Sequence, residues 1–380
     1  MAGLPARRIQ RIAVSSFFFL AGFCFFSWTS RIPDIRVKLH LSTLGLGAVL
    51  LGLPAGLMTS LPLAGWLVAK FGSRPIAILA AIFYACTLPV IGLVNAVWQL
   101  VACLFVFGMA GNFLNISINT QAVGTEALYG RTIMASYHGL WSLAGFSGAA
   151  FGTLFISLGW LPYQHFLVIT AAAGMIILLA SGRLLGQDAG AGNGQPIFAR
   201  PDRSLINLGI IAFCSMICEG SMFDWSGVYF QNVIQPPKGW VAAGLTAFTA
   251  TMAAGRFLGD WMATKWGIKR ILQASGLLTA SGLLTAILFP SLLPALIGFL
   301  LVGAGVSSVI PLVYSAAGRS KVLSPGVALA AVSTIGYLGF LFGPPFIGFI
   351  AQAFNLRVSL GLIAVLGSII TLMAAKTKFD

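Results

Sequence analysis

Two acidic residues, Glu219 and Asp224, interrupt a long apolar run that covers residues 205–229. In a helix that rises about 1.5 Å per residue, Glu219 would lie roughly 21 Å from the start of this run. That depth falls inside a hydrocarbon core about 30 Å thick, where ionising an unpaired carboxylate costs much free energy. Such a group can take up and release a proton, so we predict proton coupling at Glu219 or Asp224.

The same two acids also have structural interpretations. Glu219 could stay protonated and donate a hydrogen bond, or it could pair with an arginine such as Arg256. Asp224 lies nearer the outer end of its run and could simply be hydrated there. The sequence leaves these alternatives open.

Polar side chains form stripes on two other apolar runs. Asn112, Asn115 and Asn119 have the spacing i, i+3, i+7, which places them on one helical face. The second stripe, on the run 132–158, contains His138, Trp141 and Ser142. Amides, an imidazole and aromatic faces suit a solute rich in hydroxyl groups. His138 is also a third candidate for proton coupling. The predicted substrate-binding residues are Asn112, Asn115, Asn119, Trp141, Ser142 and Tyr337. Hydrogen bonding between membrane helices is the alternative role for the asparagines.

These side chains need membrane-spanning helices to position them. Of the 380 residues, 58% are hydrophobic and 8% are charged, against about 25% charged in ordinary soluble domains. Runs of about 20 apolar residues can cross a bilayer as helices. We predict an all-α membrane protein with twelve such spans, at residues 12–30, 43–68, 75–95, 97–122, 132–158, 164–184, 205–229, 241–264, 270–289, 292–316, 325–352 and 357–375.

The distribution of basic residues predicts the orientation. Sixteen of the 22 Lys and Arg residues fall on one side of the predicted spans, together with both termini. Because cytoplasmic loops are enriched in Lys and Arg, that side is predicted to be cytoplasmic. The five on the other side are Arg31, Arg36, Lys38, Lys238 and Arg357.

One polar, glycine-rich connection divides the chain into near-equal halves. Its composition is that of a flexible linker. We predict a six-helix bundle over residues 1–186, a cytoplasmic linker over 187–204 and a second six-helix bundle over 205–380.

The two halves repeat three motifs in the same order, at offsets of 191 to 197 residues. Common membrane composition explains frequent Gly and Phe but not this order. The motifs are Trp66, Lys70 and Gly72 with Trp261, Lys265 and Gly267; Phe26 and Trp28 with Phe223 and Trp225; and Gly145, Gly148 and Gly152 with Gly336, Gly339 and Gly343. Duplicated halves are typical of carriers that rock about a central site.

With these motifs the whole chain resembles the major facilitator superfamily. Its signature loop after the second span is matched by Gly65, Leu67, Lys70, Gly72 and Arg74, while Ala69 replaces the usual Asp. The resemblance implies a fold of two pseudo-symmetric six-helix bundles and a cytoplasmic gate, although the missing Asp departs from the usual gate latch. The predicted gate residues are Lys70, Arg74, Glu126, Arg131, Arg256 and Asp260.

A finer resemblance is to a bacterial branch near the fucose-permease-like sugar carriers. It rests on the run from Asn119 to Ala122, on Glu126 and Arg131, and on the run from His138 to Ser142.

The predicted function is therefore secondary active transport of a small polar organic solute, sugar-like or a related metabolite, by proton symport. The alternative is proton-coupled efflux of a drug or metabolite. Efflux carriers of this superfamily have a proline in their glycine-rich fifth span, and this chain has none there. We find no clustered nucleophile, metal-ligand motif or nucleotide-binding loop, so neither an enzyme, a cofactor nor a bound metal is expected.

The expected partners are a small-molecule substrate, protons and the lipid bilayer. The formal net charge of +14 does not indicate nucleic-acid binding, because the cations lie in short clusters between apolar runs. We expect a monomer in the plasma membrane, which is the inner membrane in a Gram-negative bacterium.

Overall fold

The structure is a computed structural model that describes residues 4–129, 133–186, 203–317 and 325–377. Within these ranges the chain is helical, and twelve helical segments are long and apolar enough to cross a membrane. The prediction of an all-α protein with twelve spans is confirmed.

The chain divides into two compact units. The first unit comprises Met1–His40 and Val49–Gly192, and the second comprises Leu41–Ala48 and Asn193–Asp380. Leu41–Ala48 thus belongs with the second unit, although it precedes the predicted linker. Residues 187–202 of that linker lie outside the described residues, and the predicted halves 1–186 and 205–380 stay a prediction.

The first six spans contain seven α-helices, and α2 lies between the first and second spans. The second span is made of two helices, α3 and α4, which meet at a turn at Leu51. The helices are α1 (Leu4–Ser30), α2 (Ile32–Lys38), α3 (Thr43–Leu50), α4 (Gly52–Phe71), α5 (Ser73–Leu93), α6 (Val97–Tyr129), α7 (Met134–Ser157) and α8 (Pro162–Ala180).

The last six spans are built from seven helices, and the tenth span is interrupted by a turn at Ser307 and Ser308. They are α9 (Arg203–Tyr229), α10 (Ala243–Trp266), α11 (Ile268–Leu288), α12 (Leu292–Val306), α13 (Val309–Ala317), α14 (Pro325–Ala353) and α15 (Leu356–Lys376). Helix α9 packs against α14, α15, α13 and α10, and most of its side chains are buried.

The repeated motifs have the same local structure in both units. Gly72 and Gly267 end helices α4 and α10 with φ angles of +84° and +83°, a conformation that L side chains rarely adopt. Lys70 lies over the rings of Trp66 and Phe71, and Lys265 lies over Trp261 and Trp266 in the same way.

The glycine stripes let helices approach each other closely. On α7, a Cβ atom at Gly145, Gly148 or Gly152 would collide with residues of α1 between Phe23 and Ser30. On α14, Gly336 and Gly339 face α9 in the same way. Small residues at helix contacts are the usual means of packing in lipid, where water does not drive the helices together.

A second glycine pair, Gly56 on α4 and Gly108 on α6, predicts a measurable stability effect. A Cβ at Gly56 would collide with the backbone of Phe105, and one at Gly108 with the backbone of Leu53. We expect Gly56→Ala to lower the stability of the detergent-solubilised protein by about 1–3 kcal/mol. The added methyl group would force the packed helix backbones apart, which costs free energy. Thermal unfolding followed by circular dichroism measures the change.

Gly65 on the same helix is the matched control, because nothing lies within 4 Å of a Cβ placed there. Gly65→Ala should keep or slightly raise the melting temperature, since Ala is a better helix former than Gly. Equal losses for both variants would contradict the packing role of Gly56.

Candidate functional site

Glu219 and Arg256 form an ion pair inside the second unit. Nη2 of Arg256 lies 2.8 Å from Oε1 of Glu219, and the two side chains are 14% and 5% exposed. Glu219 is on the buried helix α9, and Arg256 is the fourteenth of the 24 residues of α10. The structure therefore brings together a predicted coupling acid and a predicted gate residue, as in the pairing alternative that the sequence allowed.

Two tyrosines lie in the electrostatic surroundings of this ion pair. Tyr314 on α13 and Tyr337 on α14 lie within electrostatic range of Glu219 and of each other. Tyr337 was predicted as a substrate-binding residue, whereas sequence reasoning missed Tyr314, a single tyrosine in an apolar run. Four helices of one unit thus contribute a carboxylate, a guanidinium and two hydroxyl groups to one region, which we call the Glu219 site.

Asp224 lies apart from this pair. Five residues along a helix turn a side chain by about 140°, so Asp224 faces away from Glu219. Asp224 is half-buried, and among the described residues it makes no hydrogen bond or ion pair. Its role as a coupling acid stays a prediction, since no cation among the described residues pairs with it.

The three asparagines of α6 divide into two environments. Asn112 is buried and donates a hydrogen bond from Nδ2 to Oγ of Ser60 on α4, at 2.9 Å. Asn119 donates to Oδ1 of Asn115 at 2.9 Å, and Asn115 is exposed. Asn112 therefore joins two helices, while Asn115 and Asn119 form one accessible polar patch.

The predicted residues of α7 are also distributed between different surroundings. His138 is exposed and its ring meets Phe18 edge-on, with ring centroids 5.4 Å apart. Ser142 is buried and donates to the backbone carbonyl of His138 at 3.1 Å. Trp141 packs against Phe25 and Phe26 of α1, which leaves it half-buried.

The predicted gate residues are not gathered in one network among the described residues. Glu126 accepts hydrogen bonds from the backbone N–H groups of Ile133 and Met134, at 2.8 and 3.0 Å, and so caps the start of α7. Lys70 is exposed and contacts aromatic rings, and Arg74 is half-buried at the start of α5. Arg131 lies outside the described residues, as does the side chain of Asp260.

Sequence reasoning missed a buried polar cluster in the first unit. Arg31 and His165 are 1% and 0% exposed. The Nε atom of Arg31 lies 3.1 Å from Nδ1 of His165, and its Nη1 atom lies 2.6 Å from Oδ2 of Asp34. No sequence pattern indicates this contact, because 134 residues separate Arg31 from His165. We call these three residues the Arg31 cluster.

Comparisons with known proteins agree with this architecture. A profile described as Major Facilitator Superfamily matches residues 14–321. An uncharacterised MFS-type transporter of Yersinia pestis is 34% identical over 94% of this chain and 93% of its own length. Membrane protein MosC of Rhizobium meliloti is 30% identical over 99% of this chain and 91% of its own length.

Solved structures share the fold at low sequence identity. A bacterial homologue of the human lysosomal transporter Spinster, inward-facing, has a TM-score of 0.76 at 15% identity, over 99% of this chain and 98% of that one. The nucleoside transporter NupG has 0.75 at 13%, over 97% and 99%. The transporter FucP, in the outward conformation, has 0.67 at 15%, over 99% and 100%.

The Glu219 site predicts a strong energetic coupling between its two charges. Arg256→Gln alone leaves a carboxylate buried without its cation, which typically costs about 3–5 kcal/mol of stability. Adding Glu219→Gln removes that charge as well, so the double variant should recover much of the loss. Thermal unfolding of the wild type, both single variants and the double variant measures the coupling.

Arg357→Gln serves as the control for this cycle. Arg357 is exposed in the same unit and donates to the backbone carbonyl of Ile287, so its loss should matter less. If the effects of Glu219→Gln and Arg256→Gln simply add, the two side chains do not interact as described.

The asparagine environments predict opposite phenotypes for two variants. Asn112→Ala should lower the melting temperature, because it removes a buried hydrogen bond that joins α6 to α4. Asn115→Ala should leave the melting temperature unchanged and weaken the binding of a transported solute. Unfolding and uptake measured on the same preparations decide this; a destabilised Asn115→Ala protein would contradict the assignment.

Proposed function

The chain belongs to the Major Facilitator Superfamily of transporters, and on that premise we propose that it couples the movement of protons to that of a small polar organic solute through Glu219. The observation that carries the proposal is the buried ion pair between Glu219 and Arg256 on two spans of one unit. Ionisable residues inside spans are costly and commonly mark ion or substrate pathways.

Protonation can switch this pair between two arrangements. With Glu219 ionised, its charge holds the guanidinium of Arg256 at 2.8 Å. A proton on Glu219 removes the negative charge, so Arg256 is released to donate its N–H groups to another acceptor. The hydroxyls of Tyr314 and Tyr337 lie close enough to respond to this change of charge. An acceptor on a solute would then bind Arg256 only when Glu219 carries the proton, which links the two movements.

The proposed substrate is a solute rich in hydroxyl groups, sugar-like or a related metabolite. Asn115 and Asn119 offer amide donors and acceptors on an accessible face, and Trp141 offers an aromatic surface for an apolar sugar face. Two of the structural neighbours are described as a fucose:proton symporter and a nucleoside transporter, and both solutes carry several hydroxyl groups. This similarity supports placing the chain near sugar carriers of the fucose-permease type.

The proposed setting is the plasma membrane, the inner membrane in a Gram-negative bacterium. The excess of Lys and Arg on one side favours cytoplasmic termini. Each half, 1–186 and 205–380, is proposed to move as a bundle about the substrate, so a monomer would suffice for alternating access.

The proposal is tested by comparing gradient-driven uptake with solute counterflow in proteoliposomes, using a panel of sugars, nucleosides and other polar metabolites. Glu219→Gln should abolish uptake driven by a proton gradient and keep counterflow, because the amide cannot exchange a proton while the solute can still bind. Acidification or alkalinisation of the vesicle interior, followed with a trapped dye, reports the direction of proton movement.

Asp224→Asn is the matched control, since it removes a carboxylate from the same helix without touching Arg256. It should keep gradient-driven uptake. Loss of coupling in Asp224→Asn but not in Glu219→Gln would move the coupling role to Asp224. If protons leave the vesicles as solute enters them, the protein is an antiporter, and the symport proposal is wrong.

A further inference from the structure

The Arg31 cluster holds a cation at a place where membrane proteins usually avoid one. Arg31 follows the last residue of α1 and precedes α2, and its side chain is only 2% exposed. Asp34, its ion-pair partner, is 32% exposed and contacts the guanidinium at Nη1. The other side of the guanidinium faces His165 on α8.

The hydrogen bond to His165 fixes the state of the imidazole. A guanidinium can only donate, so Nδ1 of His165 must accept the hydrogen bond from Nε of Arg31. An imidazole that accepts at Nδ1 carries its hydrogen at Nε2. His165 thus presents a second N–H donor between the rings of Phe155 and Phe166, whose centroids are 4.9 and 5.5 Å from that of the imidazole.

Two donors of the cluster have no acceptor among the described residues. They are Nη2 of Arg31 and Nε2 of His165, and both are buried. Burying a donor without an acceptor costs free energy, and the cost is greater for a charged group. Apolar walls strengthen the attraction of such donors for any oxygen that reaches them.

The charges around the cluster favour binding of a negatively charged ligand. Only five Lys and Arg residues fall on the side of the spans that is poor in basic residues, and Arg31, Arg36 and Lys38 are three of them. Asp34 is the one acidic residue in the same short segment. Helix α2 and its cap therefore carry an excess of positive charge that attracts anions.

We propose that the Arg31 cluster is an oxyanion-binding site, whose ligand is a carboxylate or phosphate group that accepts hydrogen bonds from Arg31 and His165. The site lies wholly in the first unit, and the Glu219 site lies in the second. It therefore extends the proposed function without depending on it, and it can be tested without measuring transport.

The chain contains three histidines, His40, His138 and His165, which makes imidazole NMR a direct probe of the cluster. Protein labelled with ¹⁵N-histidine is placed in lipid nanodiscs, and the resonance of His165 is assigned from its absence in His165→Gln. Chloride is then replaced stepwise by acetate, or by phosphate, at constant ionic strength. The ring ¹⁵N shifts of all three histidines are recorded.

We expect a saturable shift of the His165 resonance while those of His40 and His138 stay in place. Saturation with acetate identifies a carboxylate, and saturation with phosphate alone identifies an inorganic anion; both support an oxyanion site. Arg31→Gln should weaken the response by about tenfold or more, because it removes a charge-assisted hydrogen bond. Arg31→Lys keeps the charge but not the planar fork, so its response should be intermediate.

Lys38→Gln is the control for general electrostatics. Lys38 lies on α2, is exposed and donates to the carbonyl of Gly92 at 3.3 Å. Because it forms no hydrogen bond or ion pair with the Arg31 cluster, its loss should leave the His165 response in place. Unchanged resonances of His40 and His138 show that each variant is folded. If neither anion moves the His165 resonance, internal water satisfies the two donors and the proposal is wrong. The proposal is equally wrong if Arg31→Gln responds like the wild type.

Discussion

The lipid environment imposes one constraint on which the rest of this structure depends. Hydrocarbon offers no partner to a backbone N–H or carbonyl, so the spans must be helices that satisfy their own hydrogen bonds. Helices without a hydrophobic driving force between them associate by close packing, which here uses glycine. Gly148 and Gly152 place α7 against α1, and Gly336 and Gly339 place α14 against α9. The burial of α9 follows from this packing.

Burial of α9 in turn decides what its polar residues can do. A carboxylate on a helix enclosed by neighbours must find a partner within reach, and only a residue on an adjacent helix at the same depth qualifies. Arg256 meets both conditions, because α10 packs beside α9 and Arg256 lies in its middle. Asp224 is only half-buried, so it can persist without a cation. The two acids are both carboxylates, and they therefore differ in how far the neighbouring helices bury them.

The sequence predicted the helical spans well, because hydropathy acts over 20 residues and needs no tertiary information. It also predicted that the motifs with Gly72 and Gly267 form equivalent structures. It was less informative about contacts between distant residues. The sequence indicates how far Arg256 lies from the end of its span but not its rotation about the helix axis, so it leaves both a gate role and a pair with Glu219 open. Nothing in the sequence around Arg31 or His165 indicates that their side chains touch, because 134 residues separate them.

The internal repeat separates what the fold requires from what function requires. At the repeat's offsets of 195 to 197 residues, Trp28 corresponds to Trp225, and Gly72 corresponds to Gly267. The charges of the two sites have no such counterparts, unlike Lys70 and Lys265 at the helix ends. Gly22 stands where Glu219 would be, Leu61 where Arg256 would be, and Val228 where the counterpart of Arg31 would be. Packing and helix ends must be the same in both units, because each bundle meets the same lipid. Charges are not needed for packing and cost free energy in the interior, so a charge present in only one unit needs a reason beyond the fold. That asymmetry is the physical ground for treating the Glu219 site and the Arg31 cluster as functional.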